Sequence, residues 1–143
     1  MKKLNQANTS TLLKLLEIAG HHAKIENPPY MPLSVEKLRH VQLGSIDWII
    51  VALGHYGEMN GDLMADPTME FLVDVAGQRA FPMYWKNDYA GRDTEAMWID
   101  ESGCINYREK AQADITDFAN IWLKNIREQG FIQAANKLEI ESK

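Results

Sequence analysis

Ile46-Asp47-Trp48-Ile49-Ile50-Val51-Ala52-Leu53-Gly54-His55-Tyr56, then Asn60-Gly61, then Met69-Glu70-Phe71-Leu72-Val73-Asp74-Val75 are the residues that decide the fold. The first run is rich in β-branched and aromatic residues and is apolar on both faces, which predicts a central strand covered on both sides. Asn60-Gly61 reverses the chain, since both residues tolerate positive φ. Asp66-Pro67 then opens the next strand, in which Met69, Phe71, Val73 and Val75 point one way and Glu70 and Asp74 the other. Gly44-Ser45 and Gly77 read as turns on either side of this pair.

Outward from this centre, Leu33 and Val35 alternate with polar neighbours, and Phe81, Met83 and Trp85 alternate with Pro82, Tyr84 and Lys86. Alternation places Trp85 with Phe81 and Met83 in the core and Tyr84 with Lys86 on the opposite face. Asn87 to Asp93 reads as a hairpin loop, and Thr94 to Asp100 as its partner strand. Such short connections imply an antiparallel, meander-like sheet of about five strands.

Helices flank the sheet. Asn8, Thr9 and Ser10 offer N-caps to a helix whose stripe is Leu12, Leu15, Leu16 and Ala19, widened by Leu13. Gly20 ends it, with His21 and His22 placed in its last turn, where the helix dipole favours them. Asn27 to Pro32 is a proline-rich linker. From about Tyr107 to Gln129, Ala111, Ile115, Phe118, Ala119, Trp122 and Ile126 form a second stripe, with Gly130 at the C′ position. Phe131 to Leu138 adds a short helical turn. The fold class expected is α+β, with an N-terminal and a C-terminal amphipathic helix on an antiparallel sheet. A single domain over residues 1–143 is expected, with loose ends at about 1–8 and 139–143.

Charge is unevenly distributed. His40 to Gln78 holds six acids and no lysine or arginine, while the rest of the chain has 14 acids and 15 bases. The formal charge of −5 is therefore generated almost wholly in this stretch. The bases are scattered, which argues against nucleic acid as a partner. Cys104 is the only cysteine, so an internal disulfide is ruled out and a cytoplasmic protein is expected. The apolar run Trp48 to Leu53 is too short to span a membrane.

Within the acidic stretch, Glu58, Asp62, Asp66, Glu70 and Asp74 fall four apart. Asn60-Gly61 and Pro67 break any helix there. The reading is a turn-rich acidic loop (Glu58, Asn60, Asp62, Asp66) running into one strand face (Glu70, Asp74). With His55 beside it, this loop is the candidate binding site. Asp62, Asp66, Glu70 and His55 are also candidate ligands for a divalent cation, although the spacing of a calcium-binding EF-hand loop is absent. A second candidate is an exposed aromatic and basic strip, Tyr84, Lys86 and Tyr89, able to dock a peptide or stack bases. No nucleophile motif, phosphate loop or nuclease acid-x-lysine triplet is present, so no catalytic residue and no cofactor is assigned.

Met31-Pro32-Leu33 and the run from His55-Tyr56 through Asn60-Gly61-Asp62 to Asp66-Pro67-Thr68-Met69 resemble a family of small proteins of unknown function carried by plasmids, prophages and integrative elements. The likeness is close from Met31 to Val73 and looser to Tyr84 and Asp88. It implies a mobile-element accessory protein and no particular reaction. Three functions follow as expectations. The first is a non-enzymatic accessory module acting on a protein partner. The second is a metal-dependent hydrolase or nuclease built on the acidic loop. The third is a small nucleic-acid-binding regulator. A sheet edge or the second hairpin's aromatics would support a homodimer.

Overall fold

Asn60 and Gly61 take φ values of 53° and 84°, and the chain reverses there between its two central strands. In the computed structural model, residues 1–141 are described. The elements are α1 (Gln6–Ala19), β1 (His22–Asn27), β2 (Tyr30–Leu43), β3 (Ile46–Met59), β4 (Asp62–Asp74), β5 (Arg79–Asn87), β6 (Arg92–Glu95), β7 (Met97–Ile99), β8 (Ile105–Tyr107), α2 (Glu109–Glu128) and α3 (Phe131–Glu141). Strands β1 to β6 form an antiparallel meander in sequence order, and β7 pairs with β8 as a separate two-stranded sheet. The fold is α+β.

The inner face of the large sheet is sealed by the helices. Leu12, Leu15 and Leu16 of α1, Ile115, Ala119, Trp122, Leu123 and Ile126 of α2, and Phe131 and Ala135 of α3 pack on Leu33, Val35, Val51, Leu53, Met69, Phe71 and Val73. Each fully buried Leu or Phe here stabilises the fold by about 1.5–3 kcal/mol. On the outer face Trp48, Ile50, Leu72, Phe81 and Met83 form a smaller cluster under Met97 of β7, with Ile99 and Ile105 against it. The central strand β3 is thus covered on both faces along Trp48 to Val51, as its composition predicts. The β7–β8 hairpin covers only that end of the outer face.

Several expectations are corrected. Helix α1 begins earlier than Asn8: Asn5 is its N-cap, its Oδ1 accepting from the Asn8 amide at 2.9 Å. Asn8 is instead buried against α2, its Nδ2 donating to the carbonyl and Oδ1 of Asn120, both at 2.9 Å. His22 opens a strand, because the edge of β2 needs a partner more than α1 needs another turn. Pro32 lies inside β2 and not in a linker. Asp66-Pro67 lies within β4, which starts at Asp62, so Glu58 and Asp62 sit on paired strands and Asp66 in a bulge of β4, where it and Pro67 have no partner on β3, and not on a loop. Val75 lies beyond β4 and is exposed.

The stretch 94–100 divides: β6 pairs with β5, then the chain crosses at Ala96 and β7 pairs with β8. The N-terminal residues, expected to be loose, are held: Leu4 is buried and its amide donates to the Ala80 carbonyl at 2.9 Å. Helix α3 carries through Glu141 where a loose tail is expected, and residues 142–143 lie outside the described residues.

The most consequential correction is a β-bulge at Met83. Glu70 pairs with Tyr84 but Phe71 pairs with Pro82, leaving Met83 unmatched. A bulge inserts one residue and so reverses the inside–outside alternation beyond it. Phe81, Met83 and Tyr84 therefore belong to the outer face, whereas Trp85 packs on the inner, helix-covered core, its ring 6.0 Å from that of Phe118.

Candidate functional site: the open face of the sheet

Strand register builds the site. Glu36 pairs with Ala52, Ala52 with Glu70, Glu70 with Tyr84 and Tyr84 with Glu95, so one row crosses the outer face from β2 to β6. The next row is Ser34, Gly54, Thr68, Lys86 and Asp93. Ala52 lays down a low floor in the middle, while Gly54 is buried under Thr68. Gly54 is required there, since a Cβ would lie 2.6 Å from Thr68 Cγ2. On one side of Glu70 is a hollow of about 390 Å³ whose walls include Leu38, Arg39, Tyr84, Glu95 and Trp98. Toward β1 a second hollow of about 540 Å³ is walled by Glu36, Tyr56 and Leu63 among others.

Among the acids of this face Glu70 is half-buried, whereas Glu36, Asp93 and Glu95 are exposed. Burial pushes the Glu70 carboxyl up from its ordinary pKa, Arg39 opposes this, and Glu95 reinforces it. Among the described residues, Glu70 accepts no hydrogen bond and has no cation within 4.0 Å. Burial also raises the Tyr84 hydroxyl, to about 12, helped by its hydrogen bond to Asp93 Oδ2 at 2.9 Å. Tyr56 is raised by burial first and by Glu36 next.

The predicted site residues do not meet at one point. Glu70 lies on the open outer face. His55 lies on the inner face, between the rings of Trp122 and Phe131 at 5.8 and 5.6 Å, its Nδ1–H donating to the Pro32 carbonyl at 3.1 Å. Burial lowers its pKa, against smaller raising effects from backbone hydrogen bonds and Asp66. Asp66 accepts from Asn87 Nδ2 at 3.3 Å, which ties the hairpin to the loop after β5. Asn60 and Asp62 sit at the hairpin tip, and Glu58 faces Leu63 on the paired strand. Asp74 is buried, its Oδ1 accepting from the Gly77 amide at 3.0 Å and its Oδ2 from Arg79 Nε at 3.0 Å. Those contacts hold its carboxyl below the usual range. Among the described residues no group of three His, Cys, Asp or Glu side chains is placed to hold a metal ion.

The aromatic strip divides as well. Tyr84 and Lys86 share the outer face, and Lys86 Nζ pairs with Asp88 at 3.5 Å. Tyr89 instead covers the hairpin: a Cβ at Gly57 would come within 2.3 Å of its hydroxyl. Sequence reasoning misses Glu36, Arg39, Ala52, Gly54, Glu95 and Trp98 as site residues. Their juxtaposition depends on register between non-adjacent strands, which no local signal carries; the alternation of Glu36 with Val35 marks only which face it takes.

A sheet backed by three helices on one face, with part of the other face left to solvent, defines an α+β protein with a single open β-surface. Residues 6–132 match the family described as a domain of unknown function, DUF6908, and the chain belongs to that family. The match takes in α1 and α2, well beyond the Met31–Val73 stretch. Comparison with curated proteins and with solved structures finds no match. Among the described residues no helix is long and apolar enough to cross a membrane.

Proposed function

We propose that this chain is a non-enzymatic accessory module that binds a protein partner through the open face of its sheet. The observation that carries this reading is the row Glu36–Ala52–Glu70–Tyr84–Glu95: at its middle Glu70 is half-buried and without a partner among the described residues, Ala52 beside it keeps the surface low, and a hollow opens next to each end of the row. Enzymatic chemistry has less support, because His55 and Glu70 lie on opposite faces of the sheet and Asp74 is held by the Gly77 amide and Arg79. Phosphate binding is disfavoured too, since Tyr84 and Lys86 are already engaged with carboxylates. The likeness of the His55–Met69 stretch to proteins of plasmids and prophages supports a mobile-element origin. The single cysteine supports work in the cytoplasm.

The test is capture from the native host with the wild-type chain and with Ala52→Trp, which raises a large ring from the floor of the open face. A partner retained by the first and lost by the second supports the reading, provided both melt alike. Equal capture by both contradicts it.

A further inference from the structure

We propose that the occupant of the open face is an extended, basic segment of a partner protein, and that Glu70 seats one of its arginine or lysine side chains. This rests on the binding role proposed above and names the chemistry of the partner.

Charge complementarity carries the inference. The face presents Glu36, Glu70, Glu95 and Asp93, and Lys24, on the wall of the hollow toward β1, is paired with Glu26 at 3.6 Å. Lys86 is paired with Asp88. Arg39 is near enough to act on the Glu70 charge but not near enough to form an ion pair. Asp93 already accepts the Tyr84 hydroxyl, whereas Glu70 is left with no partner among the described residues. Glu70 is half-buried, which leaves its carboxylate less well solvated than a surface one, and an incoming guanidinium supplies both counter-charge and a bidentate donor pair.

The shape fits a chain better than a lone cation. Ala52, the small residue paired with Glu70, lets a backbone approach the sheet. Tyr84 and Tyr56 offer ring surfaces on which a guanidinium stacks. The hollow beside Glu70 and the one toward β1 can take neighbouring side chains of the same segment, one beside Leu38 and Trp98 and the other beside Tyr56 and Leu63.

The experiment uses two blocked octapeptides, one alternating valine with arginine and one alternating valine with glutamate. They are titrated calorimetrically at physiological salt into the wild-type chain, Glu70→Gln and Asp62→Asn. The expected result is binding of the arginine peptide only, weakened about ten-fold or more by Glu70→Gln and less than about two-fold by Asp62→Asn at the exposed hairpin tip. Equal weakening by both variants would mean diffuse attraction and would overturn the proposal, as would no binding of the arginine peptide. If Ala52→Trp abolishes capture of the natural partner while Glu70→Gln leaves it intact, the binding face stands and the basic-segment proposal falls. If neither variant affects capture, the binding face falls as well.

Discussion

Adding a single methyl group at Gly54 tests the floor of the open face and the register that builds it. In Gly54→Ala the new Cβ would lie 2.6 Å from Thr68 Cγ2, 3.1 Å from Thr68 Cβ and 3.2 Å from Thr68 Cα. Rotation of Thr68 relieves the first contact but not the other two, which belong to the paired strand. Overpacking of this kind costs about 1–3 kcal/mol. Alanine in place of glycine in a strand returns about 0.5–1 kcal/mol through a less flexible unfolded chain. A net loss of about 1–2 kcal/mol remains, which lowers Tm by about 3–8 °C at this chain length. The assay is thermal and urea unfolding of Gly54→Ala, Thr68→Ala and the double variant. Thr68→Ala removes the closest atom, so the pair should couple favourably by about 1 kcal/mol. A Gly54→Ala protein as stable as wild type, or strict additivity in the double variant, would refute the register of β3 against β4 and the low floor with it.

Three further outcomes are expected. Burial lowers the His55 pKa, so the unfolded chain takes up its proton first as pH falls; stability should hold above about pH 6.5 and fall below it. The acid slope of Tm should be shallower in His55→Phe, and an unchanged slope would remove His55 from the account. Asp74→Ala strips the Gly77 amide and Arg79 of their acceptor and should cost about 2–3 kcal/mol in urea unfolding. Because the Asp74 pKa is depressed in the fold, its contribution is present above about pH 4 and is lost as pH falls through the folded value, so wild type and variant should converge in acid. Added Mg²⁺, Ca²⁺ or Zn²⁺ should leave Tm unmoved; a clear rise would show that the acidic hairpin gathers around a cation after all.

What the sequence discloses follows the range of each signal. Periodicity is local, so the stripes Leu12–Leu15–Leu16 and Ile115–Ala119–Trp122–Ile126 and the hairpin at Asn60-Gly61 are legible without a structure. Strand β1 is not, because His22 to Asn27 has little apolar character of its own and is a strand by virtue of pairing with β2. The bulge at Met83 leaves no mark in composition, and it separates Phe81 and Met83, on the outer face, from Trp85, on the inner one. Glu70 is legible as a solvent-side acid of its strand, yet its neighbours Glu36 and Glu95 come from distant parts of the chain. His55 is near Glu70 in sequence but on the opposite side of the sheet, packed between Trp122 and Phe131, whereas Asp66 stays near enough to act on its pKa.

The central claim is that partners dock on the open sheet face. A photo-crosslinking residue placed at Ala52 tests it directly, with the same residue at Ile121, exposed on α2, as the control. The account predicts a specific adduct in native-host extract from position 52 and none from position 121. Adducts from position 121 alone would contradict it and move the docking surface to the helices.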